Sequence, residues 1–212
     1  MSPVNLRTDL AGAALPNPVL TASGCAAAGR ELQPFAPVSA LGAVVTKSVT
    51  LRPRAGRPTP RMAETASGML NSIGLQNPGV DAFVAHDLPW LAEHGARAVV
   101  SIAGGSVADY ASLAARIAHA PALVAVEVNI SCPNVDRRGE VFACDPLAAS
   151  RVLAAVRAEV PAGIPVLAKL SPDVTDIVAV ARACVDGPVF EHDRVRWDDV
   201  GTVPADALGA GQ

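Results

Sequence analysis

Short apolar runs rich in β-branched residues recur along the chain, separated by longer segments of helical period. The runs are VLTAS (19–23), AVVTKS (43–48), AVVSIA (98–103), LVAVEVNIS (123–131) and VLAKLS (166–171). They are apolar along their length rather than alternating, which is typical of parallel strands that are covered on both faces. The pattern therefore predicts a parallel sheet with one strand at each run.

Between these runs, apolar residues at the spacing i, i+3, i+4, i+7 predict amphipathic helices. The stripes are Tyr110, Leu113, Ala114 and Ile117; Ala149, Val152, Leu153 and Val156; and Ile177, Val180, Ala181 and Cys184. Strand followed by helix, repeated with Gly and Pro at the joints, indicates βαβ units. The chain is therefore expected to be an α/β protein.

Two architectures fit this order of elements: an open doubly wound sheet and a (β/α)₈ barrel. Polar residues at the ends of the predicted strands favour the barrel, whose active sites are assembled at the carboxyl ends of the strands. Each lies on a different run: Ser23, Lys47, Ser101, Asn129 and Lys169.

Composition excludes several classes of function. The 17 Lys and Arg against 20 Asp and Glu give a net charge of −3 without a cationic block, so nucleic acid and anionic membranes are not expected partners. No apolar run approaches the roughly 18 residues that span a bilayer, and the amino terminus lacks the pattern of a signal peptide. Four cysteines without a CxxC pair suit a reducing compartment and give no support for metal binding. A cytoplasmic location is expected.

Several motif stretches carry a resemblance to one family. They are SGC (23–25), TKS (46–48), PRMAETASGMLNSIGLQNPG (60–79), NISCPN (129–134) and AKLSP (168–172). With these in order, residues 3–187 resemble the dihydroorotate dehydrogenases, flavin-containing barrel enzymes of pyrimidine synthesis. The chain is most similar to the cytosolic class with a cysteine base, and within it to the NAD-linked branch. The resemblance implies a (β/α)₈ TIM barrel that oxidises dihydroorotate to orotate with hydride transfer to FMN.

Cys132 is the candidate catalytic base. Oxidation of a dihydropyrimidine removes a hydride from one ring carbon and a proton from its neighbour, so a base must face the flavin across the substrate. A free thiol has a pKa of about 8.5, which is close enough to neutral for proton transfer. Asn129 and Asn134 flank it with amides that donate and accept, as recognition of a pyrimidine ring requires. The alternative is an inert thiol beside a turn.

Lys47 and Lys169 supply positive charge, which suits both a reduced flavin and a substrate carboxylate. The resemblance implies FMN contacts from Ser23, Lys47, Ser48, Ser101, Asn129 and Lys169. It implies substrate contacts from Lys47, Asn71, Ser72, Ile73, Gly74, Leu75, Asn129 and Asn134.

The chain departs from the family pattern in two places. Ser101 stands where relatives carry an asparagine, so its contact with the flavin is expected to have a shorter reach. After ARACVDG the chain reads PVFEHDRVRWDDVGTVPADALGAGQ instead of the next strand. We therefore expect a barrel truncated to about its first five βα units in residues 1–187, followed by a divergent, disordered tail at 188–212.

The resemblance also implies a partner, since the NAD-linked branch passes electrons to a second subunit that carries FAD and an iron-sulfur cluster. Unpaired strand edges favour a homo-oligomer. Two other interpretations remain open. One is a catalytically inactive fragment that acts as an assembly module. The other is a flavin-free, aldolase-like half barrel in which Lys169 forms a Schiff base.

Overall fold

The computed structural model describes residues 4–131, 142–171 and 176–186, with side chains described as far as residue 181. The strands are β1 Thr8–Leu10, β2 Ala13–Leu15, β3 Val44–Val45, β4 Met62–Thr65, β5 Gly68–Asn71, β6 Ala98–Ile102, β7 Leu123–Asn129 and β8 Val166–Lys169. The helices are α1 Val80–Ala82, α2 Leu88–Glu93, α3 Val107–Ile117, α4 Pro146–Glu159 and α5 Ile177–Asp186. A π-helical turn, Phe83–Asp87, joins α1 to α2, and 3₁₀ turns lie at Val38–Ala40 and Phe142–Cys144.

A parallel sheet with the strand order β3-β6-β7-β8 forms the centre of the fold. Leu20 adds a parallel bridge to Ala43 beside β3, so the sheet follows chain order from its first element onward. A doubly wound sheet reverses its strand order at a switch point, whereas a (β/α)₈ barrel does not. No reversal occurs among the strands that the structure describes, as the barrel interpretation requires.

The strand predicted at 19–23 is reduced to that single bridge at Leu20. The Thr21 side chain takes over the bonds that a longer ladder would make: its hydroxyl donates to the carbonyl of Val45 at 3.1 Å and accepts from the Val45 N–H at 2.8 Å. Because a side chain satisfies these backbone groups of Val45, the rest of the predicted strand does not need to pair with β3.

The core consists of two apolar clusters, one on each face of the sheet. The larger cluster joins the outward-facing strand residues, such as Val100 and Val128, to the predicted stripes of α3 and α4. The smaller one lines the inner face and contains Leu15, Ala43, Val45, Val99 and Ala125. Because side chains alternate along a strand, this division fixes which residues face inward.

Two predicted helices begin at side-chain caps. Ser106 Oγ accepts from the N–H of Asp109 at 3.2 Å before α3, and Asp145 Oδ1 accepts from the N–H of Leu147 at 2.9 Å before α4. These bonds satisfy N–H groups that the first helical turn leaves without a partner. The buried stripes of α3 and α4 agree with the prediction, whereas on α5 Val180 is buried and Ile177 is exposed.

The sequence pattern did not predict two antiparallel hairpins. The β1–β2 hairpin brings Leu15 to the inner cluster. The β4–β5 hairpin is exposed along both strands. In the described part of the chain, no helix is both long enough and apolar enough to cross a bilayer.

Candidate functional site at the carboxyl ends of the parallel strands

A β-bulge directly after β3 positions two of the predicted site residues. The N–H groups of Thr46 and Val49 donate, at 3.0 and 2.9 Å, to carbonyls of β6 that are two residues apart, although they are themselves three apart. Lys47 and Ser48 therefore lie together opposite the single residue Ser101. A bulge of this kind redirects side chains that would otherwise alternate between the two faces.

Ser48, Ser101, Asn129 and Ser131 form a hydrogen-bonded chain across three neighbouring strands. The hydroxyls of Ser48 and Ser101 lie 2.8 Å apart, and Asn129 Nδ2 donates to Ser48 Oγ at 3.0 Å. Ser131 Oγ in turn donates to Asn129 Oδ1 at 2.9 Å. These bonds fix the orientation of the Asn129 amide. Its second N–H and second oxygen lone pair have no partner among the described residues, so both can serve a ligand.

Tyr110 on α3 anchors the same strand end from the outer face. Its hydroxyl donates to the backbone carbonyl of Asn129 at 2.8 Å, and the ring is only 1% exposed. On the neighbouring strand, the N–H of Ser101 donates to Thr46 Oγ1 at 3.2 Å. Because these groups are buried, their bonds both stabilise the fold and hold the polar cluster rigid.

Two lysines flank the turn at residues 23–24. Lys169 pairs with Asn129 in the register of β7 and β8, and its Nζ donates to Ser23 Oγ at 2.5 Å. Lys47 approaches from the other side, where a Cβ on Gly24 would lie 3.7 Å from its Nζ. Neither lysine forms an ion pair with a carboxylate of the described residues. The site therefore holds two positive charges that have no ion-pair partner among the described residues.

A cavity of about 470 Å³ lies beside Lys47 and is also lined by Arg54, Gln76 and Asn77. Asn77 organises the loop on the far side of this cavity. Its Oδ1 accepts from the N–H groups of Thr50 and Gly79 at 3.1 and 3.0 Å, and its Nδ2 donates to the carbonyl of Leu75 at 2.8 Å. Sequence reasoning missed Asn77, since asparagine is common in loops.

The predicted substrate segment 71–75 leads into this loop. Asn71 and Ser72 are exposed, and Leu75 is buried with a φ of +56°. Gly74 is required by its surroundings, because a Cβ there would lie 2.7 Å from the backbone nitrogen of Arg57. Within the described ranges, no hydrogen bond joins this segment to Lys47 or to the chain of Ser48, Ser101, Asn129 and Ser131.

Two predicted site residues, Cys132 and Asn134, lie outside the described residues, as does the tail from residue 188. Sequence reasoning missed two further polar residues of the inner face, Glu127 and Ser131. Counting back by two from Asn129 would have placed Glu127 on the same face. Over the part of the chain that is described, no group of three or more His, Cys, Asp or Glu side chains could hold a metal ion.

Comparison with known proteins places these residues in a family. Residues 5–195 match the family model described as dihydroorotate dehydrogenase. The catalytic subunit of dihydroorotate dehydrogenase B (NAD(+)) from Pelobacter propionicus is 47% identical over 182 residues, covering 86% of this chain and 59% of that protein. The protein of the same name from Anoxybacillus flavithermus is 50% identical over 178 residues, covering 84% of this chain and 56% of its own length.

A solved structure supports the fold. The dihydroorotate dehydrogenase of Eimeria tenella, crystallised with ferulenol, superposes with a TM-score of 0.68 at 17% identity, over 86% of this chain and 57% of that one. The shared architecture is the TIM-barrel family. The chain spans slightly less than three fifths of the length of both curated relatives above.

Proposed function

The chain belongs to the dihydroorotate dehydrogenase family, and on that premise we propose that it oxidises dihydroorotate to orotate in pyrimidine biosynthesis, with FMN as hydride acceptor. The strongest support for the proposal is the grouping of polar side chains at the strand ends. The carboxyl ends of β3, β6, β7 and β8 hold two lysines that form no ion pair with the described residues, together with an amide whose orientation is fixed by hydrogen bonds.

The residues present fit a flavin. Lys47 and Lys169 offer positive charge to a ring that becomes anionic on reduction, and neither forms an ion pair with a carboxylate of the described residues. Gly24 leaves room beside Lys47 for a planar group to approach the backbone. Ser23, Ser48, Ser101 and Asn129 supply hydroxyl and amide groups around the same strand ends. When bound, the flavin supplies the two-electron acceptor that these side chains lack.

Substrate recognition is assigned to the side of Lys47 that borders the cavity. The second N–H and the second lone pair of the Asn129 amide suit the alternating C=O and N–H groups of a dihydropyrimidine ring. Lys47 suits the substrate carboxylate. Asn71, Ser72, Ile73, Gly74 and Leu75 would close over the ring from beyond the cavity, and Asn134 would contact it from the segment after β7.

Cys132 is assigned the role of base. It directly follows Ser131, whose hydroxyl is bonded to Asn129. The thiolate would take the proton from one ring carbon of the substrate, and a bound flavin would supply the hydride acceptor for the neighbouring carbon. The thiol that forms must then return its proton to solvent before the next turnover.

A partner subunit is part of the proposal. The curated relatives are named catalytic subunits of an NAD(+)-linked enzyme, a name that implies a separate subunit for electron transfer. We assign to this chain a partner that carries FAD and an iron-sulfur cluster. We also assign it self-association through exposed strand edges and a cytoplasmic location.

Neither alternative function gains support. No observation favours an inactive assembly module. A Schiff-base lysine requires a desolvated, neutral amine. Lys169 is instead part-exposed, and its Nζ donates to Ser23 Oγ at 2.5 Å, so this amine is not fully desolvated.

The proposal is tested by loading the full chain with FMN and adding dihydroorotate under anaerobic conditions. The expected result is loss of flavin absorbance near 450 nm and formation of one orotate per flavin reduced. A chain that holds FMN but keeps its absorbance, or one that binds no FMN, would contradict the proposal.

A further inference from the structure

Glu127 lies on the inner face of the sheet, one position below Asn129 on the same face. It pairs in register with Ser101 of β6 and Leu167 of β8. Ala125, two residues earlier, belongs to the inner apolar cluster, and Leu167 packs against that cluster. The Glu127 carboxylate therefore lies between this apolar cluster and the polar residues of the candidate site.

The Glu127 carboxylate has an unsatisfied acceptor. Its Oε1 atom is buried and has no hydrogen-bond partner among the described residues. Leaving a buried acceptor without a donor destabilises the fold, and the penalty is larger for a charged group. Such a group in a native fold indicates a donor that arrives with a ligand or an ordered water.

The neighbouring hydroxyls of Ser48 and Ser101 lack one acceptor among the described residues, whereas Glu127 lacks a donor. Ser48 and Ser101 carry two hydroxyl hydrogens, and the single bond between them uses one. Asn129 is a donor to Ser48, so it takes up none of the remainder. Both serines are buried, at 2% and 0% exposure, so the second hydrogen needs an acceptor that the described residues do not supply.

We propose that Glu127 and the Ser48–Ser101 pair form one donor–acceptor subsite that binds the edge of a cyclic imide, in which C=O and N–H groups are adjacent. Ser101 and Glu127 are register partners, and neighbouring strands lie about 4.8 Å apart, so both can reach one small ligand edge. The hydroxyl donates to the imide carbonyl, and Oε1 accepts from the imide N–H. Both the flavin ring and the dihydropyrimidine carry this edge, so the inference rests on the proposed function.

The inference also accounts for Ser101. The asparagine expected there offers a donor and an acceptor on one side chain. A serine hydroxyl with a carboxylate beside it provides the same two functions from two strands. This arrangement makes Glu127 a determinant of binding that the family pattern did not indicate.

The test compares ligand binding by the full chain and by Glu127→Met, Ser101→Ala and the double variant. Ser150→Ala is the control, since Ser150 is a buried serine on α4, away from the inner face. FMN is titrated into apoprotein and followed by quenching of flavin fluorescence. Orotate is then titrated into FMN-loaded protein and followed by the flavin difference spectrum. Both readouts are independent of turnover.

Each single variant is expected to weaken one of the two ligands at least tenfold. The double variant should lose less than the product of the single effects, because both side chains contact one group. Weaker FMN binding identifies the flavin edge, whereas a change in orotate binding alone identifies the substrate edge.

Three results would overturn the inference. Unchanged binding of both ligands would mean that only water occupies the subsite, and the proposed function would stand. Equal loss of both ligands together with a lower melting temperature would make Glu127 merely structural. If the unmodified chain bound neither ligand, the inference and the proposed function would fail together.

Discussion

The carboxyl end of the parallel sheet and the β4–β5 hairpin both carry residues assigned to the site, but they differ in burial and in hydrogen bonding. At the sheet end, Ser48, Ser101 and Asn129 are 2%, 0% and 7% exposed and are bonded to one another. In the hairpin, every residue of β4 and β5 is exposed, including Met62, Met69 and Leu70.

We call the buried, hydrogen-bonded strand ends with Ser48, Ser101 and Asn129 the floor of the site, and the exposed β4–β5 hairpin with the loop that follows it the rim. Groups that orient a reacting ring need constant geometry, which burial and cross-strand hydrogen bonds provide. The rim has a hairpin with neither face buried, followed by a loop whose shape depends on positive φ at Gly74 and Leu75. We therefore expect catalysis and stability to depend on the floor, and access to depend on the rim.

The largest effect is expected from Cys132→Ala. Loss of a positioned base lowers the rate by about 10²–10⁴-fold, so flavin reduction by dihydroorotate should nearly stop at neutral pH. Single-turnover absorbance measures this rate, and FMN retention should stay unchanged. Ser67→Ala in the exposed turn between β4 and β5 is the control and should reduce flavin at close to the normal rate. A Cys132→Ala protein with normal turnover would remove the assigned base.

Leucines on the two sides should differ next. Leu113 is fully buried on α3, and its replacement by Ala should cost about 2–5 kcal/mol of unfolding free energy. Leu70 is 67% exposed in the hairpin, and its replacement should cost under about 0.5 kcal/mol. Urea unfolding measures both values. Equal costs would show that the hairpin is buried in solution.

Two asparagines, one at the sheet end and one in the hairpin, should differ less in their contribution to stability. Asn129→Ala removes the amide that is bonded to both Ser48 and Ser131, so we expect a loss of about 1–3 kcal/mol. Asn71→Ala, at the exposed end of β5, should change stability by less than about 0.5 kcal/mol. The same urea titration applies. A neutral Asn129→Ala would contradict a rigid floor.

The smallest expected effect concerns charge. Lys169→Met removes one of the two unpaired cations and should weaken FMN binding about tenfold, with little change in stability. Arg151→Met on the exposed side of α4 is the matched control and should leave binding unchanged. Fluorescence titration measures both. Equal affinities in the two variants would separate Lys169 from the cofactor.

Much of the fold could be predicted from the sequence because its local signals agree with burial. The apolar runs became β6, β7 and β8, and the stripe from Tyr110 to Ile117 became the buried face of α3. The strand predicted at 19–23 forms only one bridge, because the Thr21 side chain bonds the carbonyl and the N–H of Val45. The β4–β5 hairpin escaped prediction because neither of its faces is apolar and buried, so it has no periodic pattern.

The candidate site was predictable only in part. Strand-end positions identified Lys47, Asn129 and Lys169, because parallel strands end at one edge of a sheet. The bulge that turns Ser48 toward Ser101 leaves no trace in hydrophobic periodicity. The unpaired oxygen of Glu127 depends on which side chains surround it in three dimensions.

Hydrogen exchange of the full chain with and without FMN tests most directly that the floor is the binding site. We predict slower exchange on FMN addition at residues 46–49, 101–104, 129–131 and 169–171, with smaller changes in the hairpin at 62–71. Protection confined to the hairpin or to the outer helices, or no protection anywhere, would contradict the account.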